Sequence, residues 1–89
     1  MLRITRVEES PGVATLKVEG RIAADWAGVL QEEVRRALGE KGAVVLDFAE
    51  VRFVDRQGVE MLRQMREAKI RIVNCPPLIE ELLAEAEAG

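Results

Sequence analysis

Apolar residues in this chain change their spacing several times, and this pattern limits the folds that the chain can adopt. From Val13 to Glu19 apolar and polar residues alternate, which is the period of a half-buried strand. From Asp25 to about Leu38 apolar residues recur every three or four positions, which is the period of an amphipathic helix. Strand-like and helix-like segments follow one another in the order β-β-α-β-α-β-α. The 89 residues, 48% of them apolar, predict one domain over 1–89 with one modest core.

The first two segments are predicted to form an antiparallel hairpin. Leu2 to Glu9 has the composition of a strand, and Val13 to Glu19 is the next one. Ser-Pro-Gly at 10–12 is a turn sequence, because Pro presets φ and Gly tolerates positive φ. Gly20 to Ala24 is then a connector, and Asp25 is the expected N-cap of the first helix.

The remaining segments alternate between strands and helices. We expect a buried strand at Ala43–Phe48, a helix from about Arg56, a strand at Lys69–Asn74 and a helix opened by Cys-Pro-Pro at 75–77. Two strand–helix units after a hairpin imply right-handed crossovers. The predicted fold class is therefore α/β, with a four-stranded, mostly parallel sheet and three helices mainly on one face. The expected core includes Trp26, Leu30, Val34, Leu46, Phe53, Leu62 and Leu82.

Composition excludes several functions. The net charge of −3 argues against a nucleic-acid binder, which would neutralise phosphates. No apolar run reaches the length of about 18 residues that a membrane span needs, and the N-terminus lacks the apolar middle of a signal peptide, so we expect a cytoplasmic protein without membrane insertion. The chain has no His, no Tyr and one Cys. We therefore expect no enzymatic activity, no metal site and no cofactor.

The sequence VDRQG at 54–58 is the candidate functional segment. It follows a strand and opens a helix, and partners of parallel sheets bind at the carboxyl ends of the strands. The candidate partner-binding residues are Asp55, Arg56, Gln57, Gly58, Glu60 and Arg63. Arg56, Glu60, Arg63 and Glu67 have the spacing of ion pairs along a solvent face. The alternative is an ordinary capped turn, in which Asp55 caps the helix and Gly58 permits close packing.

The stretch VVLDFAEVRFVDRQGVEML at 44–62 resembles the signature of STAS domains. Leu46-Asp47, Val51-Arg52-Phe53 and the segment 55–58 match it in spacing. Gly20-Arg21-Ile22 and the segment 72–77 resemble the end of the family's second strand and its last strand with the following turn. The family includes bacterial anti-sigma-factor antagonists and the cytosolic domains of sulfate transporters.

The resemblance implies a phosphorylation switch that this chain lacks. In anti-sigma-factor antagonists, the second Ser of Asp-Ser-Ser-Gly is phosphorylated by an anti-sigma factor that is also a kinase, and the added charge of about −1.5 to −2 breaks their contact. Here Gln57 stands at the acceptor position and Arg56 at the preceding one, while Ala23 replaces an Asp of the second-strand motif. We therefore expect no phosphorylation within residues 54–58.

The resemblance implies a non-enzymatic interaction module that regulates a protein partner, an anti-sigma factor or serine kinase. The alternatives are an accessory subunit of a transport complex and a sensor of a small anion or nucleotide, bound at the amino end of the second helix. We expect a monomer or a weak homodimer.

Overall fold

The structure, a computed structural model, describes residues 1–65 and 69–88, with side chains at all of these positions except 8, 9 and 86–88. The elements in chain order are β1 (Leu2–Ser10), β2 (Val13–Ile22), α1 (Asp25–Lys41), β3 (Val44–Val54), α2 (Arg56–Met65), β4 (Ile70–Val73) and α3 (Pro77–Ala88). This is the order that the sequence predicted.

The four strands form one sheet in the order β1-β2-β3-β4. β1 and β2 are antiparallel and form the predicted hairpin, in which Gly12 takes a positive φ of 81°. β2 pairs with β3 and β3 pairs with β4 in parallel, so the predicted mostly parallel sheet is confirmed. β2 and β3 are parallel and their last residues, Ile22 and Val54, are register partners, so the two strands end side by side at one end of the sheet, here called the carboxyl edge.

The helices lie on one face of the sheet, as predicted: α1 and α2 pack on its strands, and α3 packs against α2. The core-facing residues of β2, which are Ala14, Leu16, Val18 and Ile22, are all buried. The residues between them, such as Thr15 and Lys17, are only half-buried on the opposite face. This alternation is typical of a sheet that is packed on one side only.

Four of the seven predicted core residues, which are Leu30, Val34, Leu46 and Leu62, are fully buried. Leu82 is only half-buried. The prediction was wrong for Trp26 and Phe53, which are 41% and 42% exposed.

The exposure of Trp26 has a simple geometric cause. The buried row of α1 consists of Ala27, Leu30, Val34 and Ala37. Trp26 precedes this row by one residue, which is about 100° around the helix. The helical period also predicts Val29 and Leu38 on the buried stripe, but Val29, one residue before Leu30, is exposed for the same reason, and Leu38 is half-buried.

Phe53 is exposed because of the path of β3. Val51 and Val54 both reach the core, and Phe53 lies between them on the solvent side. The predicted strand ended at Phe48, whereas the observed strand continues to Val54. The register of β2 against β3 shifts twice along this part of the sheet, which accommodates the irregular burial.

The helix ends also differ from the predictions. α1 runs through Gly39 to Lys41, and Gly42, with φ 94°, forms its C-cap. The N-cap of α1 is Ala24 and not Asp25, which is the first helical residue. Pro77 begins α3 as predicted, and the next residue, Leu78, is exposed to solvent although its spacing from Leu82 predicts it on the buried stripe of this helix. Ala68, assigned to the buried stripe of α2, lies outside the described residues.

Candidate functional site

The 54–58 segment lies at the carboxyl edge, where β3 passes into α2. Val54 and Gly58 are buried, Asp55 is half-buried, and Arg56 and Gln57 are exposed. The two residues in the middle of the segment are therefore available to a partner, while those around them face the fold.

Asp55 ties two loops together through its carboxylate. Its Oδ1 accepts a hydrogen bond of 2.7 Å from the backbone N–H of Gly58 and so caps α2, as predicted. Its Oδ2 accepts a hydrogen bond of 2.8 Å from the backbone N–H of Ala24, at the start of α1. The hydrogen bond from Ala24, and after it that from Gly58, lowers the pKa of Asp55 below the ordinary value of 3.8, because both donors stabilise the ionised carboxylate.

Gly58 is required by a close approach of α2 to the end of β2. A Cβ at this position would lie 2.7 Å from the carbonyl oxygen of Ile22 and 2.7 Å from Cγ1 of Val54. The backbone N–H of Asp55 donates to the same carbonyl oxygen of Ile22 at 3.1 Å. The prediction that Gly58 permits close packing is therefore confirmed by the geometry.

Ala24 adopts a backbone conformation that an Ala rarely takes. Its φ of 52° and ψ of −128° belong to the first central position of a type II′ turn, which favours Gly. The turn is closed by a hydrogen bond of 3.0 Å from the N–H of Trp26 to the carbonyl oxygen of Ala23. Sequence reasoning missed this residue, because nothing in the sequence distinguishes an Ala with positive φ from any other Ala.

The exposed face of α2 carries the other candidate contacts. Glu60 and Arg63 are exposed and form an ion pair of 2.6 Å. The sequence also predicted a pair between Arg56 and Glu60, but the carboxylate of Glu60 binds Arg63 instead. Glu67, the last member of the predicted row, lies outside the described residues.

A shallow groove runs between α1 and α2 beside the 54–58 segment. Its volume is about 590 Å³, and its walls include Gln31, Arg56, Gln57, Glu60 and Gln64. Arg56, Gln57 and Glu60 were candidates from the sequence, whereas Gln31 and Gln64 were not. Their amides join the site only because α1 packs against α2.

Arg21 and Phe53 form a second feature of the carboxyl edge. They are register partners on β2 and β3, and the guanidinium carbon of Arg21 lies 4.7 Å from the centroid of the Phe53 ring. Both side chains are exposed. These two exposed side chains therefore form a cation–π pair between neighbouring strands.

Two general properties concern ligands and membranes. Among residues 1–65 and 69–88, no three His, Cys, Asp or Glu side chains are grouped so that they could hold a metal ion. In the same part of the chain no helix has the length and apolar character needed to cross a membrane.

Sequence comparison decides the family. The model of the family described as "Mlab, STAS domain" matches residues 5–89, which is nearly the whole chain. The chain belongs to the STAS domain family. No protein of curated function matches the sequence at a significant level.

Solved structures show the same fold. This STAS domain is similar to the anti-sigma factor antagonist SpoIIAA in its unphosphorylated form, with 16% identity, 97% of this chain and 94% of that chain covered, and a TM-score of 0.70. It is also similar to an anti-sigma factor antagonist from Mycobacterium paratuberculosis, with 19% identity, 99% and 80% coverage, and a TM-score of 0.79. A third structure, Mglu, matches 79% of this chain with 19% of its own length, at 18% identity and a TM-score of 0.63.

The STAS motif is divided in this domain between residues that hold the fold and residues that face solvent. Asp55 and Gly58 are retained, and both make the contacts described above. Arg56 and Gln57 stand where the motif has its two serines, and neither side chain has a hydroxyl group. The two motif residues that support the fold are therefore retained, and the two serines are replaced by residues without a hydroxyl group.

Proposed function

We propose that this STAS domain is a non-enzymatic interaction module, comparable to the anti-sigma-factor antagonists, which docks a protein partner through the carboxyl edge. The partner is an anti-sigma factor or a related serine kinase, and the interaction takes place in the cytoplasm. Arg56, Gln57, Glu60 and Arg63 form the contact surface, and Asp55 and Gly58 hold it in place.

The observation that carries the proposal is that some residues of the 54–58 segment support the fold while others face solvent. The backbone requirements of the segment are met by Asp55 and Gly58, which leaves the exposed Arg56 and Gln57 without a described role in the fold. A long cation and an amide at the amino end of α2 are suited to recognising a partner, because charged groups at an interface set partner choice and association rate.

The exposed aromatic residues support the same edge as a docking surface. The chain has three aromatic residues, one Trp and two Phe. Phe48 is fully buried, whereas Trp26 and Phe53 are exposed and lie beside the ends of β2 and β3. Trp and Arg are among the side chains that most often dominate binding energy at interfaces, and Phe is enriched there. Two of the three aromatic residues are thus available for binding at this edge.

The proposed interaction is not switched by phosphorylation at the usual position. Gln57 offers no acceptor, and its neutral amide does not imitate a phosphate. The domain would therefore remain in its binding form, and control would have to act on the partner or on the amount of this protein. A monomer that binds one partner molecule is sufficient for this role.

The anion-sensor alternative is disfavoured by the position of Asp55. The amino end of a helix attracts anions because of its free N–H groups and dipole. In α2 the carboxylate of Asp55 already accepts the hydrogen bond from Gly58 at this end. A bound phosphate or carboxylate would meet a like charge at the same place.

The test of the proposed function is capture of a partner from the source cell. The domain, immobilised through its C-terminus, is used as bait, and a variant with both Arg56→Glu and Gln57→Glu serves as the matched control. An anti-sigma factor or serine kinase, recognised by a histidine-kinase-like ATPase domain, that is retained by the first bait and lost with the second supports the proposal. Transporter subunits retained in the same selective way would support the transport-complex alternative, and equal retention of all proteins by both baits would refute docking at the 54–58 segment.

A further inference from the structure

We propose that Asp55 is a positioning residue that couples the two loops of the carboxyl edge: its carboxylate holds the turn from Ala23 to Trp26 and thereby sets the position of Trp26. This inference deepens the docking proposal and rests on it only for the effect on a partner. Its structural part can be tested with the protein alone.

The connection runs through one carboxylate with two different duties. Oδ1 of Asp55 binds the N–H of Gly58 in its own loop, and Oδ2 binds the N–H of Ala24, which is 31 residues away in the chain. Each oxygen therefore accepts a hydrogen bond from a different strand–helix junction, Oδ1 from the β3–α2 junction and Oδ2 from the β2–α1 junction. A movement of one junction changes the geometry of the hydrogen bond at the other.

The turn before α1 needs an external support. Ala24 has φ 52° and ψ −128°, a conformation that is strained for any residue with a Cβ. As the N-cap of α1 it provides no side-chain hydrogen bond, because Ala has no polar group. Its backbone N–H is instead fixed by Asp55 at 2.8 Å. The strained turn is therefore held by a residue outside it.

Trp26 lies two residues after the strained Ala24, and its backbone closes the turn. Its N–H donates to the carbonyl oxygen of Ala23 at 3.0 Å, and its side chain is 41% exposed. If the turn relaxes to another conformation, the first turn of α1 and the indole move with it. Presentation of the indole to a partner would thus depend on the charge of a residue in the neighbouring loop.

The test uses Asp55→Asn, because an Asn has nearly the same shape but only one oxygen for the two N–H donors. The domain contains one Trp and no Tyr, so its fluorescence reports on Trp26 alone. We expect Asp55→Asn to shift the emission maximum and to change acrylamide quenching at least about twofold, while far-ultraviolet circular dichroism stays that of a folded domain.

Asp47→Asn is the matched control. Asp47 also accepts a backbone hydrogen bond, from the N–H of Ala49 at 3.0 Å, and a side-chain hydrogen bond from Nδ2 of Asn74 at 3.2 Å, but it makes no hydrogen bond to the turn from Ala23 to Trp26. Asp47→Asn should leave the fluorescence emission and the acrylamide quenching of Trp26 unchanged.

A second variant tests the strain directly. Gly adopts the conformation of Ala24 without a steric penalty, so Ala24→Gly in the Asp55→Asn background should return the quenching of Trp26 towards the value of the unchanged protein. If Asp55→Asn alters melting but not Trp26, or if Ala24→Gly does not restore Trp26, Asp55 is only a cap of α2 and the proposal is wrong.

Amide hydrogen exchange in the unchanged protein keeps the proposal testable if Asp55→Asn fails to fold. The N–H of Ala24 should be protected to a degree similar to that of Gly58, since both are held by the same carboxylate. Exchange of Ala24 at the rate of an unprotected amide would overturn the proposal. Neither measurement involves a partner, so their outcome is independent of whether the docking proposal succeeds.

Discussion

Arg21 lies over the ring of Phe53, with 4.7 Å between the guanidinium carbon and the ring centroid, and this pair joins β2 to β3 on the solvent side of the carboxyl edge. An exposed cation–π pair of this kind contributes about 0.5–1 kcal/mol. The contact also restricts the orientation of the exposed Phe53 ring.

The first prediction concerns this pair. A double-mutant cycle with Arg21→Gln and Phe53→Leu should give a coupling free energy of about 0.5–1 kcal/mol, measured by urea unfolding. Arg52 is also exposed and lies on β3, the strand of Phe53. Arg52→Gln should show no coupling to Phe53→Leu beyond the error of the measurement. Equal couplings for the two arginines would show that the pair has no specific interaction in solution.

The second prediction concerns the close approach at Gly58. Gly58→Ala should lower the free energy of unfolding by about 1–3 kcal/mol, because its Cβ would meet the Ile22 carbonyl oxygen and the Val54 side chain. Gly39→Ala is the control, since its Cβ would meet nothing within 4 Å. Ala is the better helix former by about 0.8–1 kcal/mol, so Gly39→Ala should raise the same quantity. A neutral Gly58→Ala would show that α2 can move away from β2 at no cost.

The third prediction separates binding from stability at the proposed docking surface. Arg56→Glu and Gln57→Glu should each change the free energy of unfolding by no more than about 0.5 kcal/mol, since both side chains are exposed and negative charge is tolerated at a helix N-terminus. Each should weaken the binding of an authenticated partner at least about tenfold, or about 1.4 kcal/mol.

Arg71→Glu is the control for these charge changes. Arg71 is exposed on β4 and is the register partner of Val45, near the opposite end of β3 from the 54–58 segment. Its reversal alters the net charge of the domain by the same amount as Arg56→Glu. If the affinity fell equally for Arg71→Glu and Arg56→Glu, net charge and not the docking surface would be responsible.

The fourth prediction concerns modification. Incubation with a partner kinase and ATP should leave residues 54–58 without phosphate, as read by mass spectrometry of the intact domain and its peptides, because no hydroxyl is present there. Gln57→Ser introduces an acceptor at the exposed amino end of α2. A phosphate on the Gln57→Ser variant and none on the unchanged protein would show that only the acceptor has been lost. A phosphate within this segment of the unchanged protein would contradict the prediction.

The fifth prediction follows from the lowered pKa of Asp55. A carboxyl group whose pKa is lower in the folded than in the unfolded state stabilises the fold at pH values above its pKa in the unfolded state. For Asp55 that unfolded-state pKa is close to 3.8. This stabilisation is lost as the pH falls below 3.8 and through the lower pKa of the folded state. The melting temperature of Asp55→Asn should therefore lie below that of the unchanged protein at pH 7, and the gap should narrow as the pH falls below 3.8.

Neighbouring charges define the control for the pH measurement. Arg56 and Glu60 of α2 and Glu85 of α3 line the same depression as Asp55, and Asp25 follows the residue that Asp55 binds. Glu85→Gln removes one of the acidic groups without touching the hydrogen bonds of Asp55. A gap between Asp55→Asn and the unchanged protein that stayed constant from pH 7 to pH 2 would show that ionisation of Asp55 does not stabilise the fold.

The element order, the hairpin and the buried faces of the strands could be predicted from the sequence, because they depend on local patterns. Strand alternation is visible in Val13–Glu19, and the structure buries Ala14, Leu16 and Val18 as expected. The position of the 54–58 segment at the carboxyl edge follows from the same order. The structural roles of Asp55 and Gly58 could also be predicted, because helix capping is typical of Asp and close packing is typical of Gly.

Tertiary structure alone decided which large side chains are exposed and how the two loops are joined. Trp26 and Phe53 satisfy the apolar pattern, but no element formed by residues 1–65 and 69–88 covers them at the carboxyl edge, so hydrophobicity could not place them. The hydrogen bond from Ala24 to Asp55 spans 31 residues, and it exists only because parallel pairing brings the ends of β2 and β3 side by side. A one-dimensional pattern records the chemistry of each residue, whereas such a contact depends on how distant segments pack.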